Sequence, residues 1–378
     1  MRILHLVETL ERGGLERIVV DLARAQQEAG HHVAVCCLFR TGALAPELRA
    51  ADIDVISADK RQGPDVRAVW RVRRALVERR ADVLHTHNYA ANYYGALAVP
   101  IAARARVVNT RHAMAFVRRE RRRERLFRVS LLRTSVVTVV CESTREYVIA
   151  NGIVPRRLAR VVPSGIRLDA FVHGSAEARA AARERLGLPA DAFVTGTVGR
   201  LVEDKDHALL VDAFGRLAAL RPRARLVVVG DGERRGALAA HIARLGLGAA
   251  VLLAGDRDDV SALLPAFDVF AVTSRNEGYS IALLEAAAAG LPAVASDAGG
   301  NREIVQDGST GLVIRGRTPE VFARAFEGLA HAPEVRARMG AQARRWVEEH
   351  GSLPAMARGY EAAYAVARDD DVPHGRSA

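Results

Sequence analysis

The chain has 378 residues, 49% of them apolar and 5% aromatic, with a formal net charge of +11. That length exceeds what one core usually serves, so two domains are expected, and so few aromatics argue against stacking on single-stranded nucleic acid. Three cysteines without a CxxC spacing fit neither a disulfide framework nor a zinc site, and no stretch approaches the roughly 18 apolar residues of a membrane span.

The first apolar run, Ile3 to Val7, is interrupted by His5 and closed by Glu8, which does not read as a signal peptide. A cytosolic or membrane-peripheral protein with buried, reduced thiols is expected. The run leads into Gly13-Gly14, a helical pattern Leu15–Gln27, a stop at Gly30 and a second buried strand from His32 to Phe39. Strand, glycine turn, helix and strand in that order predict a parallel α/β sheet. The rhythm continues with strand Ile53–Ile56, helix Val66–Arg79, strand Val83–His87, helix Ala90–Ala103, strand Val107–Thr110, a basic helix Phe116–Leu132 and strand Val136–Val140.

Near Val161-Val162-Pro163-Ser164-Gly165 the pattern breaks, and a second series follows. Its strands are expected at Val194–Gly199, Leu226–Gly230, Val251–Ala254, Val269–Val272, Ala293–Ser296 and Gly311–Val313, with helices between them. The expected domains are 1–165 and 166–351. A last helix at about 352–368 packs back on the first domain, and 369–378 form a disordered tail.

In open α/β sheets, ligands bind beyond the carboxyl ends of the strands, at helix N-termini that favour anions. Gly13-Gly14 is one such place, although it lacks the dinucleotide fingerprint. The loop Gly199-Arg200-Leu201-Val202-Glu203-Asp204-Lys205 is a second, where Arg200 offers a planar fork and Lys205 a point charge to a diphosphate. Only Lys60 and Lys205 of the 55 basic residues are lysine, which singles out Lys205; Lys60 has no evident role. The third place is Glu277-Gly278-Tyr279-Ser280-Ile281-Ala282-Leu283-Leu284-Glu285, where a helix starts near Ser280. Two carboxylates beside an anion site suit hydroxyl-rich ligands such as sugar and ribose. His85 and His87 alternate like a metal pair, but no further ligand is spaced to complete it, and His112 ends its strand.

Gly-Gly after strand one, Gly-Arg-x₄-Lys, Gly230-Asp231-Gly232, E-G-x₆-E, Gly290-Leu291-Pro292 and Asp297-Ala298-Gly299-Gly300 together resemble glycosyltransferase family 4 over nearly the whole chain. The resemblance implies a GT-B fold, two tandem Rossmann-like domains with the donor between them. It also implies retaining, metal-independent transfer from a nucleoside diphosphate sugar, UDP- or GDP-linked, to a saccharide or lipid-linked acceptor. Arg200 and Lys205 match the family's diphosphate-binding cations, and Glu285 its ribose carboxylate. Glu277, with Gly278, Tyr279, Ser280 and Ile281, matches the segment touching sugar and phosphates. Gly14, beside Gly13, matches the glycine-loop contact, and His112 the histidine facing the donor sugar. At the domain junction the family's Asn-Gly-Val-Asp is replaced by Ser164-Gly165-Ile166-Arg167. Asp52-Ile53-Asp54 spells a metal-binding DxD but enters a core strand, so no metal or cofactor is expected.

The segment from Arg111 to Arg133 carries nine arginines: Arg111, Arg118, Arg119, Arg121, Arg122, Arg123, Arg125, Arg128 and Arg133. Phe116, Val117, Leu126, Phe127, Val129, Leu131 and Leu132 interleave with them, as in a helix lying on an anionic membrane surface. The expectation is a peripheral enzyme at the inner face of the cytoplasmic membrane, serving cell-surface polysaccharide or glycolipid synthesis and no nucleic acid. The rival readings are a nucleotide-sugar epimerase of the same fold and a non-catalytic nucleotide-sugar or nucleic-acid binder.

Overall fold

The structure, a computed structural model, describes residues 1–100, 105–112 and 121–369. The chain divides into two compact units: Met1–Gly165 with the segment from Leu353, and Ile166–Ser352.

The first unit is built on β1 (Arg2–Val7), β2 (His32–Cys37), β3 (Asp54–Ser57), β4 (Val83–His87), β5 (Arg106–Arg111), β6 (Val136–Val139) and β7 (Ala159–Val161). They form one sheet of order β3-β2-β1-β4-β5-β6-β7, every pair parallel. Strands covered on both faces are rich in apolar residues, and β1 from Ile3 to Val7 is buried, His5 included. The helix Gly14–Glu28 covers one face with Val19, Val20 and Ala23, and the helix Val66–Glu78 the other with Ala68, Val72 and Leu76. Asp65 caps the latter, its carboxylate accepting from the backbone N–H groups of Arg67 and Ala68. The final helix, Leu353–Asp369, belongs to this unit and buries Tyr360 and Tyr364 completely.

The second unit carries β8 (Val194–Val198), β9 (Arg225–Val229), β10 (Val251–Gly255), β11 (Val269–Val272), β12 (Ala293–Ser296) and β13 (Gly311–Ile314). Their order is β10-β9-β8-β11-β12-β13, again all parallel. Two parallel-sheet α/β domains are thus the architecture expected from the sequence. In each, sequential strands run outward in both directions from an inner pair, β1/β4 and β8/β11. At such a reversal the flanking crossovers lie on opposite faces of the sheet and leave a crevice beyond the strand ends.

Several elements depart from expectation. The helix expected at Ala90–Ala103 is Asn88–Ala98, because Val99 precedes Pro100 and is extended, as the proline ring demands. Residues 101–104 lie outside the described residues. The basic helix expected from Phe116 is described as Arg121–Ser130, followed by a 3₁₀ turn Leu131–Arg133; Arg118 and Arg119 lie outside the described residues. A helix Glu142–Ala150 and β7 were not expected. Asp52 and Asp54 are an ordinary strand entry: Asp52 is left-handed at φ 56°, and Asp54 pairs with Arg79 at 3.0 Å. Lys60 is also accounted for. Its ammonium donates to the carbonyls of Arg61 and Gly63, 2.8 Å each, and lies over the rings of Phe39 and Tyr94.

One glycine decides where the loop after β8 sits. Gly230 follows β9 at φ +132°, and a Cβ there would lie 2.1 Å from the carbonyl oxygen of Gly199. The neighbouring backbones also hydrogen-bond, Leu201 N–H to the Asp231 carbonyl at 2.9 Å. Gly230→Ala is therefore expected to cost about 2–4 kcal/mol in urea unfolding, through both strain and collision. The exposed Asp231→Ala should cost under about 1 kcal/mol, and equal effects would refute this account of Gly230.

Candidate active site

In the second unit the loops that follow β8 and β11 leave the sheet side by side at the reversal point. They are tied together by backbone and side-chain bonds. Arg275 N–H donates to the Asp204 carbonyl at 2.7 Å, and the Thr273 hydroxyl donates to the Asp206 carbonyl at 3.0 Å. Asp206 occupies a left-handed turn, φ 47°, at the start of the helix His207–Leu220. Its carboxylate pairs with Arg275 at 3.0 Å and Arg317 at 2.5 Å. Arg317 also donates to the carbonyls of Ser274 and Thr273.

This stitching brings Lys205 onto Glu277. The ammonium donates to both carboxylate oxygens, at 2.8 and 2.7 Å, with 28% and 10% of the two side chains exposed. The sequence assigns both residues to the site without pairing them. A single ammonium nitrogen spans both oxygens here, as a point charge does, where a guanidinium would use the paired N–H groups of its fork. Arg200 is exposed on the same loop. Ser280 is the N-cap of the helix Ile281–Ala288, so the helix's first N–H groups have no partner within it. Ser280 and Tyr279 are buried, Ile281 and Gly278 half-buried, and Glu285 sits half-buried in the second turn. Gly278 is fixed by its carbonyl, which accepts from Gly300 N–H at 3.0 Å.

In the first unit, Gly13 is the N-cap of the helix Gly14–Glu28, with extended backbone, and the carboxylate of Glu16 lies where a Cβ on Gly13 would sit. That adjacent pair of glycines is thus occupied in part by an acidic side chain of the first helical turn.

The histidines form a larger cluster than their spacing suggests. His5 on β1 stands beside His85 on β4 in register, and the ligand atoms of His5, His85 and His87 lie within 4.8 Å of one another. His5 is the third group that the sequence could not supply. All six ring nitrogens are engaged in hydrogen bonds, however. His5 meets Gln26 at 2.8 Å and His87 at 3.1 Å, and His85 meets Tyr364 at 2.8 Å and Thr110 at 2.6 Å. His87 meets His112 at 3.1 Å. A metal would have to displace these partners, so the cluster is a hydrogen-bonded network. Burial holds it uncharged: it lowers His5 and His112 to about 4 from an ordinary 6.5, and His85 and His87 well below that value.

Of the nine arginines, Arg111 is not at the surface. It is buried, its guanidinium 4.6 Å from the centre of Tyr89 and 5.3 Å from that of Phe127, and desolvation lowers its pKa. Arg128 pairs with Glu124 at 2.9 Å, and Arg133 donates to the Val99 carbonyl at 3.0 Å. Arg123 and Arg125 are exposed, as are Leu126, Val129 and Leu132. Arg121 and Arg122 open the helix. Among the described residues no helix is long and apolar enough to cross a membrane. Cys36, Cys37 and Cys141 are free and buried.

Comparison with known proteins places this arrangement. Residues 178–346 match the family described as Glycosyl transferases group 1, and residues 12–170 match Glycosyltransferase Family 4. A D-inositol 3-phosphate glycosyltransferase of Stackebrandtia nassauensis is 40% identical over 48% of this chain, which there spans only 43% of the relative's length. One from Geodermatophilus obscurus is 34% identical, with 77% of this chain and 69% of the relative covered. Among solved structures, HepE of Anabaena in complex with UDP has a TM-score of 0.86 at 23% identity, covering 97% of this chain and 100% of that one. The fold is that of the GT-B glycosyltransferases. The chain belongs to glycosyltransferase family 4.

The neutral histidines make stability depend on pH. Their folded-state pKa values lie below the unfolded value, so an unfolded chain takes up protons that the folded one refuses. Stability from this source is full above pH 6.5 and falls, for His5 and His112, toward about pH 4. The slope is about 1.4 kcal/mol per pH unit for each such histidine. His112→Asn is expected to remove about one proton's worth of that slope between about pH 6 and about pH 5 in urea unfolding. An unchanged slope would mean that the fold accommodates the imidazolium.

Proposed function

We propose that the chain transfers a sugar, with retention of anomeric configuration, from a nucleoside diphosphate sugar to a saccharide or lipid-linked acceptor. The observation that carries this reading is the junction of the two loops after β8 and β11. There Lys205 is held against Glu277, on the loop that bears Arg200 and just before the N-cap Ser280. Positive charge from Arg200, Lys205 and the helix N-terminus would stabilise the leaving diphosphate, which is the part a divalent metal plays elsewhere. Glu285, in the second turn of the same helix, would accept from ribose hydroxyls. In the step proposed, the bond from the anomeric carbon to the donor phosphate breaks and a bond to the acceptor oxygen forms on the same face. The acceptor's proton passes to the leaving phosphate. The Glu277 carboxylate, oriented by Lys205, would hold hydroxyls of the transferred sugar, and His112 would be a sugar-facing residue of the first unit. HepE was solved in complex with UDP, which favours uridine as the base to try first.

A thermal-shift screen of nucleoside diphosphates and their sugars, with and without magnesium, tests the donor site. One nucleotide at about 100 times its Kd should add about 2.7 kcal/mol and raise the melting temperature by several degrees. The rise should be independent of metal and smaller in Glu285→Ala. No shift from any nucleotide would sink the proposal.

The acceptor side rests on a different observation: Leu126, Val129 and Leu132 are 53%, 64% and 85% exposed beside Arg123 and Arg125. Apolar side chains left in water next to cations suit the interface of an anionic membrane. Relatives in surface-polymer synthesis, such as the lipopolysaccharide core biosynthesis glycosyltransferase LpsE of Rhizobium meliloti, fit a lipid-linked acceptor. The protein should float with vesicles containing anionic lipid, and Leu126→Ser/Leu132→Ser should lower the bound fraction severalfold. Absence of binding to any vesicle would end the membrane assignment.

A further inference from the structure

The histidine network has a direction. Its far end is the backbone carbonyl of Asn109, which can only accept, and the Thr138 hydroxyl donates to it at 3.2 Å. With that proton committed, the Thr138 oxygen is an acceptor 2.6 Å from Thr110, whose hydroxyl also lies 3.3 Å from the Tyr360 oxygen as a donor, so the one Thr110 proton goes to Thr138 or Tyr360 and not to His85. The Thr110 oxygen in turn accepts from Nε2 of His85, at 2.6 Å. A neutral imidazole carries one proton, so Nδ1 of His85 is an acceptor and takes the hydroxyl proton of Tyr364, at 2.8 Å. The Tyr364 oxygen accepts from Nε2 of Gln26 at 3.0 Å, which turns the Gln26 carbonyl oxygen toward Nε2 of His5, at 2.8 Å. His5 therefore donates there and accepts at Nδ1 from Nε2 of His87, at 3.1 Å. His87 repeats the pattern and accepts at Nδ1 from Nε2 of His112, at 3.1 Å. The remaining nitrogen, Nδ1 of His112, is left with its lone pair and no proton. The ring itself is held at the strand end, where His112 N–H donates to the Asn88 side chain at 3.2 Å.

We infer that Gln26, His5 and His87 are positioning residues that lock His112 into its neutral Nε2–H form and present Nδ1 as an acceptor to a substrate hydroxyl. The inference rests on the reading of His112 as a sugar-facing residue, but the tautomer it specifies does not. Its chemistry is selective: an unprotonated ring nitrogen accepts from a hydroxyl and offers nothing to a carbonyl or an anion. Each link alone is an ordinary buried hydrogen bond. The chain as a whole transmits the orientation of one amide, Gln26, through two rings to a third.

The test is a long-range ¹H–¹⁵N spectrum of the full chain labelled with ¹⁵N-histidine, near neutral pH, with His5, His87 and His112 assigned by single substitution. All three should show the Nε2–H pattern. Nδ1–H at His112 would overturn the inference, and because this arm uses the unmodified protein it does not depend on any variant folding. Gln26→Leu removes the anchor, so His112 should become a mixture of tautomers. Turnover with the sugar nucleotide should then fall about ten- to a hundredfold, with donor KM within about twofold, as expected for a misplaced rather than a missing contact. Gln26→Glu, which still accepts from His5, should keep the Nε2–H form at His112. A His112 signal unchanged in Gln26→Leu would also overturn the inference. If the tautomers are as stated but His112→Ala transfers sugar normally, the sugar-facing reading fails and the presentation to substrate fails with it, while the ordered network stands.

Discussion

In a parallel sheet, every connection that follows a strand leaves from the same edge, and this polarity governs the rest of the molecule. It follows from the crossovers that parallel pairing requires, which return the chain to the far end of the sheet before each new strand. Residues that the linear sequence spreads from Arg200 to Glu277 are therefore delivered to one place by β8 and β11. His5, His85 and His87 meet for the same reason, since β1 and β4 are neighbours in register although 82 residues separate the outer two histidines. Neither group needs a special device to bring it together. What each needs is fixation, and the two units achieve it differently.

In the second unit the fixation is electrostatic and peptide-based. Asp206 gathers Arg275 and Arg317, and glycine at position 230 lets two backbones touch. The outcome is that Lys205 and Glu277 constrain one another, so neither side chain is free to wander before a ligand arrives. A carboxylate this enclosed would be costly without its cation, and removing one partner of such a pair costs more than removing both. In the first unit the fixation is by neutral hydrogen bonds in a dry interior, where every nitrogen of three imidazoles has a partner and charge is excluded. A low-dielectric interior strengthens satisfied bonds and punishes an unsatisfied one, which favours a single arrangement.

Much of this is legible in the sequence. Strands buried on both faces announce themselves as apolar runs, so the six strands of the second unit fall where the pattern puts them, within a residue or so at their ends. The spacing of Arg200, Lys205, Glu277 and Glu285 is visible because short motifs survive intact on single loops and one helix. The failures have physical causes. Alanines carry the expected helix through Pro100, against the local stereochemistry. The helix Glu142–Ala150 escapes notice because its pattern is weakly amphipathic, with Thr144 and Val148 its buried residues. The third histidine, Gln26 and Tyr364 could not be foreseen, since their meeting depends on strand register and on where the last helix docks. Arg111 misleads for the opposite reason: its charge suggests a surface, but it is buried against two rings, Phe127 of its own segment and Tyr89 from earlier in the chain.

The docking of the last helix also sets a schedule. Tyr360 and Tyr364, fully buried in the first unit, belong to a segment that follows the whole of the second unit in the chain. On a ribosome adding about 5–20 residues per second, some ten to forty seconds pass between the emergence of Gly165 and that of Leu353. Throughout that interval the first sheet lacks the helix that carries Tyr360 and Tyr364, and Gln26 and His85 lack the tyrosine that joins them. The earlier half of the chain is therefore completed by a segment that is made after the later half.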